Sequence, residues 1–187
     1  MDLPIIKLTI DDSDETRVEK VSFVDDPAIE RQWMAFKKAP YKFIGDEEKR
    51  IVSGPLMISG LPIYRADSNG EYYVQFDADT IQKIVLKFFK EQRMNAVNLM
   101  HDQDVDGVFM FESFIIDERK RTPEGFDDMP NGSWFGSFKV DNDEVWAKVK
   151  DGTFRGFSVE GMFAELSERS VDEELIETII RVINEGS

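Results

Sequence analysis

A single histidine, one glycine-flanked serine and a set of nearby carboxylates are the side chains in this sequence equipped for proton transfer and nucleophilic chemistry. His101 is the only histidine; it ends the mostly apolar run Val97-Asn98-Leu99-Met100 and opens the polar loop 102–107. Imidazole titrates near neutral pH, so a histidine at a strand-to-loop junction can accept a proton and give it back. A surface or capping histidine would occupy the same setting. Ser158 stands in Arg155-Gly156-Phe157-Ser158-Val159-Glu160-Gly161. Side chains alternate along a strand, which puts Phe157 and Val159 on one face and Ser158 and Glu160 on the other. The flanking glycines clear room for a substrate backbone, so Arg155, Gly156 and Gly161 are candidates to serve a substrate or an oxyanion. The spacing is not that of a Gly-x-Ser-x-Gly nucleophile elbow. A strand with a polar, solvent-facing edge is the plainer account.

Other chemistry is narrowed by composition. The absence of cysteine excludes disulfides, thiolate nucleophiles and cysteine-based zinc sites. A formal charge of −15 speaks against binding a phosphate backbone, which needs basic patches. Asp102-x-Asp104-x-Asp106-Gly107 matches the opening of a calcium loop. The bidentate glutamate of such a loop belongs at Ser113, however, Glu112 comes one residue early, and the flanks read as strands. No metal or cofactor is expected. No apolar run approaches the ~20 residues needed to span a bilayer as a helix. The opening MDLPIIKLTIDD reads as a strand rather than a signal peptide.

The elements that must position these residues are read from periodicity. Strands are expected over 5–10 and 18–24, the second stopped by Asp25-Asp26-Pro27. The segment 33–36 is short, and the residues from there to Lys49 read as loop. The run 50–64, broken by Gly54-Pro55 and Gly60, predicts two strands or one strongly bent one. Ser68-Asn69-Gly70 is a hairpin turn into 71–76. Asp77 or Asp79 caps a helix with Ile81, Ile84, Val85, Phe88 and Phe89 on one stripe. Further strands are expected at 97–100, 107–116 and 134–140, with a polar loop at 118–132. The Met and Phe residues of 108–114 are expected in the core, and Glu112 is either solvent-facing or a site carboxylate. Asp141, with Glu144 three residues on, opens a short helix that Gly152 ends. A strand over 155–166 and an amphipathic helix over 171–184 complete the chain. That last helix packs on the domain or docks a partner. Many strands, few helices and no strand–helix alternation make an α+β domain around an antiparallel sheet or barrel.

Four stretches resemble the phage prohead, or capsid maturation, serine proteases, in particular their XkdF-like branch. They are VSFVDDPAIE at 21–30, EYYVQFDADTIQKI at 71–84, VNLMHDQDVDGVFMFES at 97–113 and GSWFGSFKVDNDEVWAKVKDGTFRGFSVEG at 132–161. They stand in the family's order with matching spacing. The likeness of that family to herpesvirus assemblin-type proteases implies an antiparallel β-barrel core with a few surrounding helices over 1–167, followed by the helix in 168–187. It implies Ser158 as nucleophile and His101 as general base. The implied work is cleavage of scaffold protein and major capsid protein precursor inside an assembling prohead in the host cytoplasm, with the portal a further contact and self-association open. A protease-fold structural protein without activity is the alternative. Some relatives carry an acid on the strand that here reads Glu19-Lys20-Val21-Ser22, but aligned on Val-Ser it falls at Lys20. Glu19 would face the opposite side of a regular strand. Glu160, then Asp106 and Asp102, are the other candidates for a third member, and a Ser–His dyad is also open.

Overall fold

The structure, a computed structural model, describes residues 3–13, 15–25, 44–68, 70–119 and 121–166. The expectations for 33–36 and for the terminal helix at 171–184 lie outside them. Among the described residues, twelve strands and two α-helices run in the order β1 (Ile5–Thr9), β2 (Arg17–Val24), β3 (Ile44–Asp46), β4 (Ile51–Met57), β5 (Ile63–Asp67), β6 (Gly70–Gln75), α1 (Ala78–Lys90), β7 (Val97–Leu99), β8 (Gln103–Asp104), β9 (Val108–Ile115), β10 (Trp134–Val140), α2 (Asp143–Lys150), β11 (Gly156–Met162) and β12 (Ala164–Glu165). They form three four-stranded sheets, ordered β12-β1-β6-β5, β3-β4-β10-β9 and β11-β2-β7-β8.

The mostly β class with two helices agrees with the α+β expectation, but two details differ. Two of the three sheets are mixed, because β1 pairs parallel to β6 and β2 parallel to β7, while β3-β4-β10-β9 is wholly antiparallel. Among the described residues the three ladders are not joined edge to edge, so no closed barrel is formed.

The core collects one face of each sheet around α1. Ile81, Ile84 and Phe88 of its stripe are buried, while Phe89 at the stripe's margin is exposed. The helix is capped by Asp77, which accepts a hydrogen bond from Thr80 N at 2.7 Å. At the second helix the cap is Asn142 rather than Asp141. Asn142 O accepts the first helical bond, from Trp146 N at 3.0 Å, and its side chain receives Glu144 N and Val145 N. The aromatic residues of β9 also divide. Met110 is buried, whereas Phe109 and Phe111 are exposed, because successive side chains point to opposite faces and the β9–β10 register shifts next to Phe111.

One buried cation ties α1 to the strand that enters the site. Lys87 Nζ donates to the backbone carbonyls of Asp11 (2.9 Å), Ser13 and Thr16 in the β1–β2 connection. Asp11 stiffens the same turn, accepting from Ser13 N at 3.0 Å and Thr16 Oγ at 2.7 Å. The Ser13 hydroxyl, which also donates to Asp11, then Thr16 Oγ and Ser13 N, lower its pKa to about 2. Replacing Lys87 with Met would leave three carbonyls without their donor. The expected loss is about 2–4 kcal/mol of unfolding free energy, read by urea denaturation; an unchanged midpoint would refute this role for Lys87.

Candidate functional site

The site is built on the β11–β2–β7 ladder, where three polar side chains fall in register. Ser158 pairs directly with Ser22 across the antiparallel β11–β2 ladder, and Ser22 pairs with Asn98 across the parallel β2–β7 ladder. Directly opposed residues share a face, so Asn98, Ser22 and Ser158 form one row, with Glu160 two residues beyond Ser158. The intervening residues point the other way into an aromatic cluster. Phe23 meets Phe157 at 5.1 Å and Phe138 at 5.6 Å between ring centroids, and Phe138 meets Phe157 at 4.7 Å. Edge-on packing of this kind fixes ring orientation as well as burying area.

His101 reaches this row from the β7–β8 turn. Asp102 N closes the turn on Leu99 O at 3.1 Å, and both central residues have positive φ, +54° at Met100 and +62° at His101. Such turns ordinarily use Asn-Gly, since a side chain in the left-handed region costs roughly 1–2 kcal/mol. The strain is placed where it presents the imidazole to the row.

Four side chains then converge. His101 Nδ1 lies 2.9 Å from Glu160 Oε1 and 2.9 Å from Ser22 Oγ. Asn98 Nδ2 donates to Glu160 Oε1 at 2.7 Å, and Ser22 Oγ contacts both Asn98 Oδ1 and Glu160 Oε1. Burial pushes the Glu160 carboxyl up, but the hydrogen bonds from Ser22, Asn98 and His101 outweigh it and hold the group below the usual carboxylate range. An ionised carboxylate only accepts, so Nδ1 carries a proton in this contact and the Nε2 lone pair is left for a substrate-side task.

Ser158, Glu160 and His101 all line an open cleft of about 1370 Å³, together with Met57, Tyr64 and Val74. Ser158 is 8% exposed, so it is not the solvent-facing edge residue that a plain strand would offer. Among the described residues no hydrogen bond joins its hydroxyl to His101; the hydroxyl that touches His101 is Ser22.

The remaining candidates are elsewhere. Asp104 pairs with Lys20. Neither Asp102 nor Asp106 forms an ion pair with His101; the Asp106 carbonyl accepts from Asn142 Nδ2 at 3.2 Å. Glu19 is the extra residue where the register slips between Glu160–Lys20 and Gly161–Val18, and it pairs with Arg17 at 2.8 Å. Glu112 accepts from Ser137 and Arg121, each at 2.7 Å, on β9. Among the described residues no cluster of three His, Asp or Glu is arranged to hold a metal.

Of the candidate substrate-binding residues, Gly161 lines the cleft, whereas Arg155 and Gly156 do not. Arg155 N donates to Val24 O at 2.9 Å and its Nε to Gly152 O at 3.1 Å. Space beside Gly161 is filled by β2, since a Cβ there would sit 2.3 Å from Arg17 O. Gly156 is a ladder residue opposite Val24. Ser22 and Asn98 are not visible as site residues in the sequence, because only the pairing of β2 with β11 and, in parallel, with β7 brings them to the carboxylate.

Residues 42–168 match the family model described as "Putative phage serine protease XkdF". His101, Ser158 and Glu160 lie inside that span and Ser22 outside it. No curated protein and no solved structure matches the chain. No helix among the described residues is long and apolar enough to cross a membrane.

The geometry generates two expected outcomes. Met100→Gly removes one strained residue from an exposed turn position and should raise unfolding free energy by up to about 1 kcal/mol in urea titrations. A lower stability would contradict the strain. For Glu160, a depressed folded-state pKa means stabilisation fully present above the ordinary value of 4.5 and lost as pH falls through the lowered one. The stability gap between the native chain and Glu160→Gln should therefore narrow as pH drops below about 4.5. A gap independent of pH would exclude an ionised, hydrogen-bonded Glu160.

Proposed function

The chain belongs to the family described as phage serine protease XkdF, and on that premise we propose that it is a serine endopeptidase with Ser158 as nucleophile, His101 as general base and Glu160 as the orienting carboxylate. The observation that carries the reading is the His101 Nδ1–Glu160 Oε1 contact at 2.9 Å, on the cleft wall that also presents Ser158. A carboxylate on Nδ1 selects the tautomer whose Nε2 can accept a proton, the arrangement that triad chemistry requires.

In the proposed reaction Ser158 Oγ attacks the scissile carbonyl carbon while its proton passes to His101 Nε2. Collapse of the tetrahedral intermediate breaks the C–N bond, and the Nε2 proton leaves on the amine. Water then repeats the sequence on the acyl-enzyme, releasing the acid and restoring Ser158. The Ser158–His101 contact must tighten for attack, as catalytic hydrogen bonds commonly do once substrate is bound. The substrates belonging to this proposal are scaffold protein and capsid precursor segments within the prohead, and the kinship with herpesvirus assembly proteases belongs to it too. Carboxylates at Glu15, Glu19, Asp25 and Glu165 also line the cleft, which favours segments carrying basic side chains.

A second reading rests on the missing hydrogen bond between Ser158 and His101: a protease-fold structural protein of the capsid or scaffold that no longer cleaves. The experiment that separates the two is covalent labelling with a fluorophosphonate, together with an assay of cognate scaffold processing. The peptidase reading expects the native chain to be labelled on Ser158 and Ser158→Ala to lose both labelling and processing while keeping its melting profile. Glu160→Gln should slow labelling by about 100-fold or more, and Asp106→Asn and Asp102→Asn should leave it unchanged. Scaffold processing by Ser158→Ala at the native rate would remove the assignment.

A further inference from the structure

We infer that Ser22 and Asn98 are positioning residues that hold the Glu160 carboxylate on His101 and thereby keep the imidazole in its Nδ1–H form. The inference rests on the peptidase reading for its catalytic meaning, but its structural content stands on separate observations. Ser22 is 0% exposed and Asn98 2%, and neither lines the cleft that Ser158, Glu160 and His101 share. Ser22 is thus the hydroxyl nearest the histidine and also one that a substrate carbonyl cannot reach. Its contact with His101 does not make it a nucleophile.

Proton counting shows what the pair does instead. Ser22 has one hydroxyl proton and faces two acceptors, Asn98 Oδ1 and Glu160 Oε1. Its lone pairs face His101 Nδ1, so that nitrogen must be the donor. The Asn98 amide is oriented the one way that serves a carboxylate, with Nδ2 on Glu160 Oε1. Oε1 therefore collects Asn98 Nδ2–H and His101 Nδ1–H, and the Ser22 hydroxyl is shared between it and the amide oxygen. Ser22 thus touches each of the other three side chains, while Asn98 and His101 also meet the carboxylate directly.

The carboxylate has a competing destination. Glu160 lies directly across the ladder from Lys20, whose ammonium feels the Glu160 charge while it is paired with Asp104. The Glu160 side chain is 25% exposed, so it is not sealed off from the solvent side on which Lys20 lies. Two buried donors from β2 and β7 on Oε1 oppose that turn. His101, with a side chain 43% exposed on a strained turn, is otherwise held among the described residues only by Ser22 Oγ. Without the carboxylate its ring would revert to the Nε2–H form that free imidazole prefers, and Nε2 would no longer be a base.

Because His101 is the sole histidine, its ring nitrogens can be read without ambiguity in 1H–15N spectra at a pH where the ring is neutral. The native chain is expected to show the Nδ1–H tautomer. Ser22→Ala and Asn98→Ala should each shift the ring toward Nε2–H and slow fluorophosphonate labelling of Ser158 by about tenfold or more. Ser22→Thr, which keeps the hydroxyl, should recover the Nδ1–H signal. Should the alanine at 22 prevent folding, Asn98→Ala decides, since it removes an amide donor without touching the Ser22 hydroxyl. Retention of Nδ1–H and of the native labelling rate in Asn98→Ala would overturn the inference, as would an Nε2–H ring in the native chain. Tautomer shifts in a protein that the probe never labels would uphold the positioning and defeat the peptidase reading instead.

Discussion

Everything at the cleft depends on the register between β2 and β11. Pairing of Ser22 with Ser158 puts Phe23 and Phe157 together on the opposite face, where they join Phe138 in the core. A slip of one residue would exchange the two sets, driving hydroxyls into the aromatic cluster and aromatic rings into the cleft. The packing of three phenylalanines and the placement of two serines are therefore one constraint seen from its two sides. The bulge at Glu19 ends that regular pairing just beyond Glu160, and Gly161 lets the β2 backbone approach where any Cβ would collide. The strand is regular for as long as the polar row needs it and bends immediately afterwards.

Burial and hydrogen bonding act on Glu160 in opposite directions, and the balance determines what the site can do. Desolvation alone would favour a neutral acid, which could donate to His101 and leave the wrong ring nitrogen protonated. Three donors reverse this. The groups that provide them come from β2, β7 and the turn after β7, while Glu160 itself comes from β11. The protonation state is thus a property of the assembled sheet rather than of any local segment. Anchoring of the β1–β2 connection by Lys87 belongs to the same logic, because it fixes the point from which β2 starts.

Period-two patterning is enough to read Ser158 and Glu160 onto one face of β11 and to place most strands, since that information is local. The turn at Met100–His101 is not legible, because its left-handed conformation lacks the Asn-Gly signature and is imposed by the pairing of β7 with β8. Ser22 and Asn98 are hidden for a different reason. They are separated by 76 positions and meet through a parallel ladder, whose register no spacing within either strand encodes. The mixed character of two of the sheets is hidden by the same cause. At α2, Asp141 and Asn142 are both good caps in isolation, and the choice shows only in the backbone bond of Trp146 N to Asn142 O, which sets where the helix begins.

Proximity to a histidine is a poor guide to which serine reacts. Judged by distance alone, Ser22 would be the nucleophile, since it is the hydroxyl in contact with the ring. Accessibility reverses the choice, because a nucleophile must meet a carbonyl carbon and Ser22 has no surface on which to do so. Its proton is also already engaged by a carboxylate and an amide oxygen, an arrangement that fixes the orientation of the hydroxyl. Ser158 has the opposite character: it opens on the cleft and makes no bond to the ring. The same face of one sheet therefore holds two hydroxyls in different settings, one hydrogen-bonded and enclosed, the other on the cleft wall, and what separates them is which strand lies at the edge. β11 is the outermost strand of its sheet and β2 is enclosed between β11 and β7.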